Sequence, residues 1–418
     1  MNDATNHEVV IIGGGPAGLA AAAELVTLGI RDVVVIEREQ HAGGVPRHCG
    51  HAGFGWREFR RILAGPAYAH RLVGAARGVQ ILTGTTALAL EADGRIRMLA
   101  PEGIRTLQAR RVLLALGARE TPRAARLVSG TRPWGVFTTG ALQQMVYLAG
   151  IKPCNRAVIV GSELVSFSSL LTLRHAGIRP LAMIEESARV VAPRPAEWAA
   201  RAIFGTRILM RTRLVAVHGD SRVNSIEIER DGIREHIACD GIVFSGRFVP
   251  EAALLRSSLL AIDPATGGPV VDQYGRCSDP AYFAAGNLLR PVEASWTVWS
   301  EGRDVARAIA ASLRGMLPQP THHVMMQARA PVRYACPQRL AFPAPLPAAL
   351  PLNLRVSEEI HGRLRVHCAQ GELWGAWRHL LPETRIIVPW PADLPSATRA
   401  LVVEVSLPVT GRSSAARP

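Results

Sequence analysis

The chain has 418 residues, 48% of them hydrophobic and 20% charged, with a formal net charge of +14. That length implies two or three domains, and the composition excludes a wholly disordered chain. The positive charge does not point to nucleic acid: Lys152 is the single lysine, the arginines are scattered, and aromatic residues make up only 5%.

The cysteines, Cys49, Cys154, Cys239, Cys277, Cys336 and Cys368, form no CxxC or CxC pair. That argues against a disulfide scaffold, a zinc ribbon or an iron–sulfur site. The first residues are polar and do not read as a signal peptide. The apolar run 19–28 holds Glu24 and is too short for a bilayer. The expectation is a cytoplasmic protein with no transmembrane segment, reaching a membrane only through partners.

In chain order, residues 8–12 (EVVII) read as a buried strand ended by glycines. Residues 16–28 read as a helix, with Pro16 in its first turn and Gly29 after it, and 32–37 (DVVVIE) as a second buried strand. Residues 41–80 break this alternation, with an amphipathic stretch at 57–63. Strand-like segments follow at 79–83, 86–91, 95–99 and 111–115, then a helix at 139–149. A second strand–helix–strand unit spans 156–185. Short strands follow at 207–218, 223–229, 235–244 and 282–284, and a long helix at 294–313. Proline-rich residues 317–351 read as an extended connector, and 352–407 as strands of a small β domain.

Gly13-Gly14-Gly15-Pro16-Ala17-Gly18 satisfies G-x-G-x-x-G between a strand and a helix, with Glu37 closing the next strand. Gly13 permits the tight turn, Gly15 lets a pyrophosphate approach the backbone, and Gly18 lets the helix pack on the strand. The helix N-terminus, opening at Pro16 and Ala17, offers free N–H groups to phosphates. Glu37 suits a ribose diol and disfavours a 2′-phosphate.

Ala115-Leu116-Gly117-Ala118-Arg119-Glu120 resembles the middle segment of two-dinucleotide flavoproteins, and Tyr282-Phe283-Ala284-Ala285-Gly286-Asn287 resembles their late segment. The resemblance implies an α/β, glutathione-reductase-like Rossmann architecture that binds FAD. It places Glu37 and Arg38 at the ribose, Ala115 and Gly117 in the middle contact, and Gly286 and Asn287 along the ribityl chain. Asn287 stands where the family carries aspartate, and Leu116 where it carries threonine.

The second unit repeats the first in register: Glu185 follows Gly161 at the spacing at which Glu37 follows Gly13. The other two fingerprint glycines are replaced by Glu163 and Ser166, and the bulk and charge of Glu163 oppose a dinucleotide. This half reads as an eroded NAD domain.

The loop Gly43-Gly44-Val45-Pro46-Arg47-His48-Cys49-Gly50-His51 follows the ribose-binding strand. One cysteine there excludes dithiol chemistry. Gly44 and Arg47 are expected to pack over the phosphates, with Arg47 neutralising charge. His48, Cys49 and His51 are candidates for work at the flavin edge, against a plain covering role for the loop; their spacing is poor for a metal, and none is assigned. Trp296 and Trp299 on the late helix, and the turn 132–137, are candidate pocket walls or core.

The runs GGVPRHCGHAGFGWREF, VGSELVSFSSLLTLRHAG and AAGNLLRPVEASWTVWSEGR resemble the FAD subunit of hydrogen cyanide synthase and the alpha subunits of opine oxidase and hydroxyproline dehydrogenase. The resemblance covers about residues 7–315. It implies a subunit of a dehydrogenase acting on the C–N bond of an amine, amino acid or imino acid, relaying electrons beside a second flavoprotein subunit. Many such relatives carry clustered C-terminal cysteines; here only Cys336 and Cys368 lie in that region, so an iron–sulfur centre would sit on a partner. The alternatives are a self-contained NAD(P)H-dependent flavin reductase and an assembly subunit with structural FAD.

The expected division is an FAD-binding domain of residues 1–120 plus 240–315, an eroded NAD-binding-like domain at 121–239, a Pro-rich linker at 316–351, a β domain at 352–408 and a flexible tail at 409–418.

Overall fold

The computed structural model describes residues 5–407 except 193–197, 199–201, 203, 344–347 and 392. The expected tail at 409–418 lies outside the described residues. The first unit is built on a seven-stranded sheet. Its centre is parallel: Thr5–Ile12 pairs with Val33–Ile36 on one side and Gly103–Leu114 on the other. Tyr282–Ala284 joins Gly103–Leu114 in parallel, bringing the late segment beside the first. The β-branched runs explain this core. Val9 to Ile12 and Val33 to Ile36 are all buried, as strands covered on both faces must be.

Two helices cover one face. Pro16–Thr27 begins with proline at its first turn and buries a nearly continuous alanine and leucine surface. Ser295–Leu313 packs against it so closely that a Cβ on Gly302 would run into the Ala17 backbone. Glu24, buried between them, is held at 2.7 Å by both Arg303 and Arg307.

A further helix, Gly65–Ala75, lies where the sequence reading found no element. Two glycines and Val73 weaken its propensity, and packing of Tyr68, Ala69 and Leu72 sustains it. The amphipathic stretch expected at 57–63 is a single turn, Trp56–Phe59, ended by Arg60 at φ +55°, followed by the short strand Leu63–Ala64.

The chain leaves the first unit through Ala118–Glu120 and returns through Phe248–Pro250, two segments that pair antiparallel. Between them lies a five-stranded parallel sheet ordered 136–138, 241–244, 156–160, 179–184 and 207–209, with the helix Leu164–His175. This corrects the boundary expected at 240. Gly241–Phe244 pairs with Arg156–Val160 inside the second sheet, so that unit extends to about 247. A buried GIVF run fits either sheet, and only its pairing decides.

Residues 316–351 are not a linker. His322–Ala328, Val332–Cys336 and Arg339–Phe342 are strands of the C-terminal β domain, which begins at His322 rather than 352. Pro331, Pro337 and Pro343 fall between these strands, where a missing N–H breaks no ladder. Five strands, ordered 339–342, 322–328, 400–406, 360–368 and 371–380, form one sheet, and 332–336, 352–356 and 386–388 the other. Tyr334, Cys336, Ala341 and Leu350 pack into the core of the first unit, so the β domain is docked onto it. Among the described residues, no helix is long and apolar enough to cross a membrane.

Candidate functional site

Three loops meet at the C-terminal ends of the first sheet's strands, where open α/β sheets bind ligands. Gly13 turns at φ +111°, a conformation L side chains rarely adopt, and donates its N–H to the Ile36 carbonyl at 2.9 Å. A Cβ on Gly13 would strike the Ala115 carbonyl, and one on Gly18 the Gly13 carbonyl. The fold itself demands these two glycines.

Gly15 is different. Its φ is −87°, and a Cβ there would meet nothing nearer than the Gly44 Cα at 3.8 Å. Protein packing does not require a glycine at this position. The helix beyond it has no side-chain cap and no acidic residue in its first turn, so the first-turn N–H groups after Pro16, beginning at Ala17, have no side-chain acceptor. Gly44 closes over Gly15, with space for a Cβ only 2.8 Å from the Gly15 Cα.

Glu37 is buried at the end of its strand. One carboxylate oxygen accepts the Gly14 N–H at 2.9 Å and the other the Glu39 N–H at 2.9 Å. Each keeps a lone pair for a ribose hydroxyl. Arg38 is exposed beside it. These features fit the pyrophosphate and ribose of a dinucleotide.

Ala115 donates its N–H to the Ile12 carbonyl, and the Gly117 carbonyl accepts the Glu251 N–H at 3.0 Å. Gly286 lies against Ala17 and donates its N–H to the buried Glu301 at 2.7 Å. Asn287 does not point its amide into open space. Its Oδ1 accepts the Glu293 N–H at 2.7 Å and its Nδ2 donates to the Glu293 carbonyl at 3.3 Å. An aspartate could not make both bonds, which explains the amide there.

Beneath this loop, Arg290 is 1% exposed and bonds Glu301 at 2.5 Å, with Glu293 at 3.4 Å. Sequence reasoning missed this pair; its one signal was a glutamate in the apolar stripe of the late helix. Arg47 is likewise occupied, with Nη1 2.6 Å from Glu39 and 2.7 Å from the His41 carbonyl. Its charge is partnered within its own loop.

His48, Cys49 and His51 do not converge. His48 is buried beside Gly140, and burial lowers its pKa, favouring the neutral imidazole; its Nδ1 has no partner. Cys49 lies 3.5 Å from the Gln143 Oε1, and burial, reinforced by Glu120, pushes its thiol up to about 12. His51 turns away to the Ala52 carbonyl and leans on Phe54. Among the described residues, no group of three or more histidine, cysteine or acidic side chains is placed to hold a metal.

Glu120, unassigned in the sequence reading, is the anchor of this seam between the units. It is buried and accepts N–H bonds from Gly140 at 2.8 Å and Gly246 at 3.3 Å; burial raises its pKa. Trp296 lies 3.7 Å under the Arg57 guanidinium, and Trp299 packs on the core beside Arg303. The turn at 132–137 belongs to the second unit, where Trp134 is exposed and Val136–Thr138 pairs with Gly241–Phe244.

The second unit copies the first to the atom at several points. Gly161 has φ +116° and donates to the Ile184 carbonyl at 2.8 Å. Glu185 accepts Ser162 Oγ at 2.6 Å and the Ser187 N–H at 2.9 Å, as Glu37 accepts its two amides. At the position of Gly15, however, Glu163 projects its carboxylate against Gly246 and accepts the Arg247 N–H at 3.0 Å. Ser166, at the position of Gly18, bonds Ser245.

Paired Rossmann units, one keeping its fingerprint glycines and one carrying Glu163 and Ser166 in their place, make up a two-dinucleotide-binding fold. The solved structures of thioredoxin reductase from T. acidophilum and from Lactococcus lactis share this fold, each with TM-score 0.63. They are 19% and 18% identical, cover 73% and 74% of this chain, and are themselves covered over 98% and 99%. Residues 7–311 match the pyridine nucleotide-disulphide oxidoreductase family, and the chain belongs to it. It is an FAD-dependent oxidoreductase.

The resemblance to opine oxidase and hydrogen cyanide synthase is borne out. The chain is 28% identical over 193 residues to an opine oxidase subunit of Rhizobium meliloti, aligning 43% of this chain and 39% of that one. It is 30% identical over 190 residues to hydrogen cyanide synthase subunit HcnB of Pseudomonas aeruginosa, aligning 44% and 39%. The aligned region thus spans well under half of these relatives.

Proposed function

We propose that this chain is the FAD-bearing relay subunit of a multi-subunit dehydrogenase that oxidises the C–N bond of an amine, amino acid or imino acid. The observation that carries the proposal is the Glu163 carboxylate at the N-terminus of Leu164–His175. A phosphate brought within about 4 Å of it would meet a repulsion of about 4 kcal/mol at an effective dielectric of 20. Nicotinamide is then a poor source of electrons. Cys49 is buried, and all six cysteines are free, so the chain holds no disulfide to reduce. Electrons therefore enter and leave through other subunits. Relatives named as subunits of opine oxidase, sarcosine oxidase and hydrogen cyanide synthase support that reading.

FAD, when bound, supplies reversible electron transfer. The protein's part is holding and tuning. Gly15 leaves backbone open to the pyrophosphate, the Ala17 helix end offers N–H groups, and Glu37 takes the ribose hydroxyls. Glu301 and Arg290 fix Gly286 from below. A second flavoprotein subunit would carry the substrate pocket, and an iron–sulfur centre, where the complex has one, would lie on another partner.

The test is anaerobic challenge of the complex, purified under mild conditions, with a panel of amino acids, imino acids and opines. Bleaching of the flavin in the complex, absent in the isolated chain, is expected. Failure of every C–N substrate to reduce the intact complex would reject the proposal.

A further inference from the structure

The hairpin formed by Ala52–Phe54, the turn Trp56–Phe59 and Leu63–Ala64 carries side chains that the cradle does not use. Trp56 is 59% exposed and Ile62 69%. Arg57, Arg60 and Arg61 are exposed too, and among the described residues no carboxylate pairs with them. Several other arginines of the first unit do have carboxylate partners, as Arg95 and Arg97 have Glu91 and Arg303 and Arg307 have Glu24. Glu58, the hairpin's own carboxylate, is occupied by the Tyr68 hydroxyl at 2.8 Å.

The hairpin is packed against the first unit. Phe54 and Phe59 pack on buried Tyr68 with ring centroids 5.5 and 5.8 Å away, and Arg57 stacks on Trp296. It also borders the cradle. Trp296 stands in the first turn of the helix that follows Gly286 and Asn287, and Gly65, just past the hairpin, donates its N–H to the Cys49 carbonyl in the covering loop at 3.0 Å.

We infer that this patch docks an acidic electron-transfer protein, the carrier that exchanges electrons with the flavin of this chain. The inference rests on the relay reading above. Tryptophan and arginine are enriched at interface centres, and a pre-ordered patch loses little entropy on binding. Three guanidiniums without a carboxylate partner call for carboxylates on the facing surface, and the same charges steer its approach. Arg57, Arg60 and Arg61 would hold the carrier beside the cradle, where reduced FAD, when bound, would supply one electron to each of two one-electron acceptors in turn with its proton released to water.

The test uses the full-length holoprotein, its flavin photoreduced anaerobically so that no natural substrate enters. Oxidation is followed with soluble cytochrome b5, which presents carboxylates around its haem edge, with basic mitochondrial cytochrome c, and with a neutral quinone. At low ionic strength cytochrome b5 is expected to react faster than cytochrome c, with a rate that falls as salt rises. The double variant R60E/R61E is expected to slow cytochrome b5 about tenfold and to flatten its salt dependence. Its neutral-quinone rate and flavin content should match the wild type, which shows that it folds. Equal cytochrome b5 rates in the two proteins would overturn the inference. Rapid flavin reduction by NADH in the unmodified protein would instead sink the relay reading, a separate result.

Discussion

Glu163 accepts a hydrogen bond from the Arg247 amide at 3.0 Å, joining two loops 84 positions apart in the chain. That bond places a fixed negative charge where the second Rossmann unit would receive a pyrophosphate. The first unit has Gly15 at the same point and leaves it open.

Replacing the carboxylate should therefore reopen the second cradle. Glycine is tolerated at a helix N-cap, so Glu163→Gly is expected to fold. Loss of one charge near a phosphate should tighten NADH binding by up to about three orders of magnitude. Fluorescence titration with NADH measures it, and unchanged affinity would show that Glu163 is not what shuts the site.

Gly15 and Gly18 should respond in opposite ways. Gly15→Ala is expected to leave the stability of flavin-free protein within about 1 kcal/mol of wild type while lowering FAD content strongly. Gly18→Ala forces a Cβ onto the Gly13 carbonyl and should destabilise the fold itself by about 1–3 kcal/mol. Denaturant unfolding and flavin-to-protein absorbance ratios separate the two. Equal FAD content in the Gly15 variant and wild type would remove the ligand reason for that glycine.

Cys49 should be chemically quiet. Burial holds its thiol pKa up at about 12, so hardly any thiolate exists at neutral pH. Cys49→Ser is expected to keep full flavin content and activity within about twofold. Native protein should react with a thiol reagent at Cys49 only on unfolding. Fast labelling in the native state would mean the loop opens.

Glu24 makes the fold acid-sensitive. Burial pushes its carboxyl up, but hydrogen bonds and charge from Arg303 and Arg307 outweigh this and hold it below the usual 4.5. A lowered folded pKa contributes stability above the unfolded pKa that is lost as pH falls through the folded one. Glu24→Gln should thus cost about 1–2 kcal/mol at pH 7. The gap to wild type should narrow as pH drops below 4.5. A gap independent of pH would contradict the assignment.

Much of the fold was legible because each Rossmann unit announces itself locally. A continuous β-branched run, a glycine turn and an apolar helix recur in register, and that register alone set Glu163 opposite Gly15. The helix Gly65–Ala75 was hidden because its glycines mask a helix that tertiary packing sustains. The strands from His322 onward were hidden because their prolines, read as a connector, lie in the turns between them. In the site, local chemistry such as the two amides on Glu37 follows from a strand ending in a carboxylate. The Arg290–Glu301 pair, the seam around Glu120 and the Asn287–Glu293 clasp depend on how loops return in space, which no spacing rule exposes. Arg47 shows a different limit: an arginine near a phosphate loop and one already bonded to Glu39 look alike in sequence.

The central claim is that one cradle holds FAD while the other is shut by the chain's own carboxylate. The most direct measurement is anaerobic stopped-flow mixing of the holoprotein with saturating NADH and with NADPH, watching the visible flavin band. The band is expected to persist with both nucleotides in the wild type and to bleach with NADH in Glu163→Gly. Rapid bleaching of the wild-type flavin by either nucleotide would contradict the account.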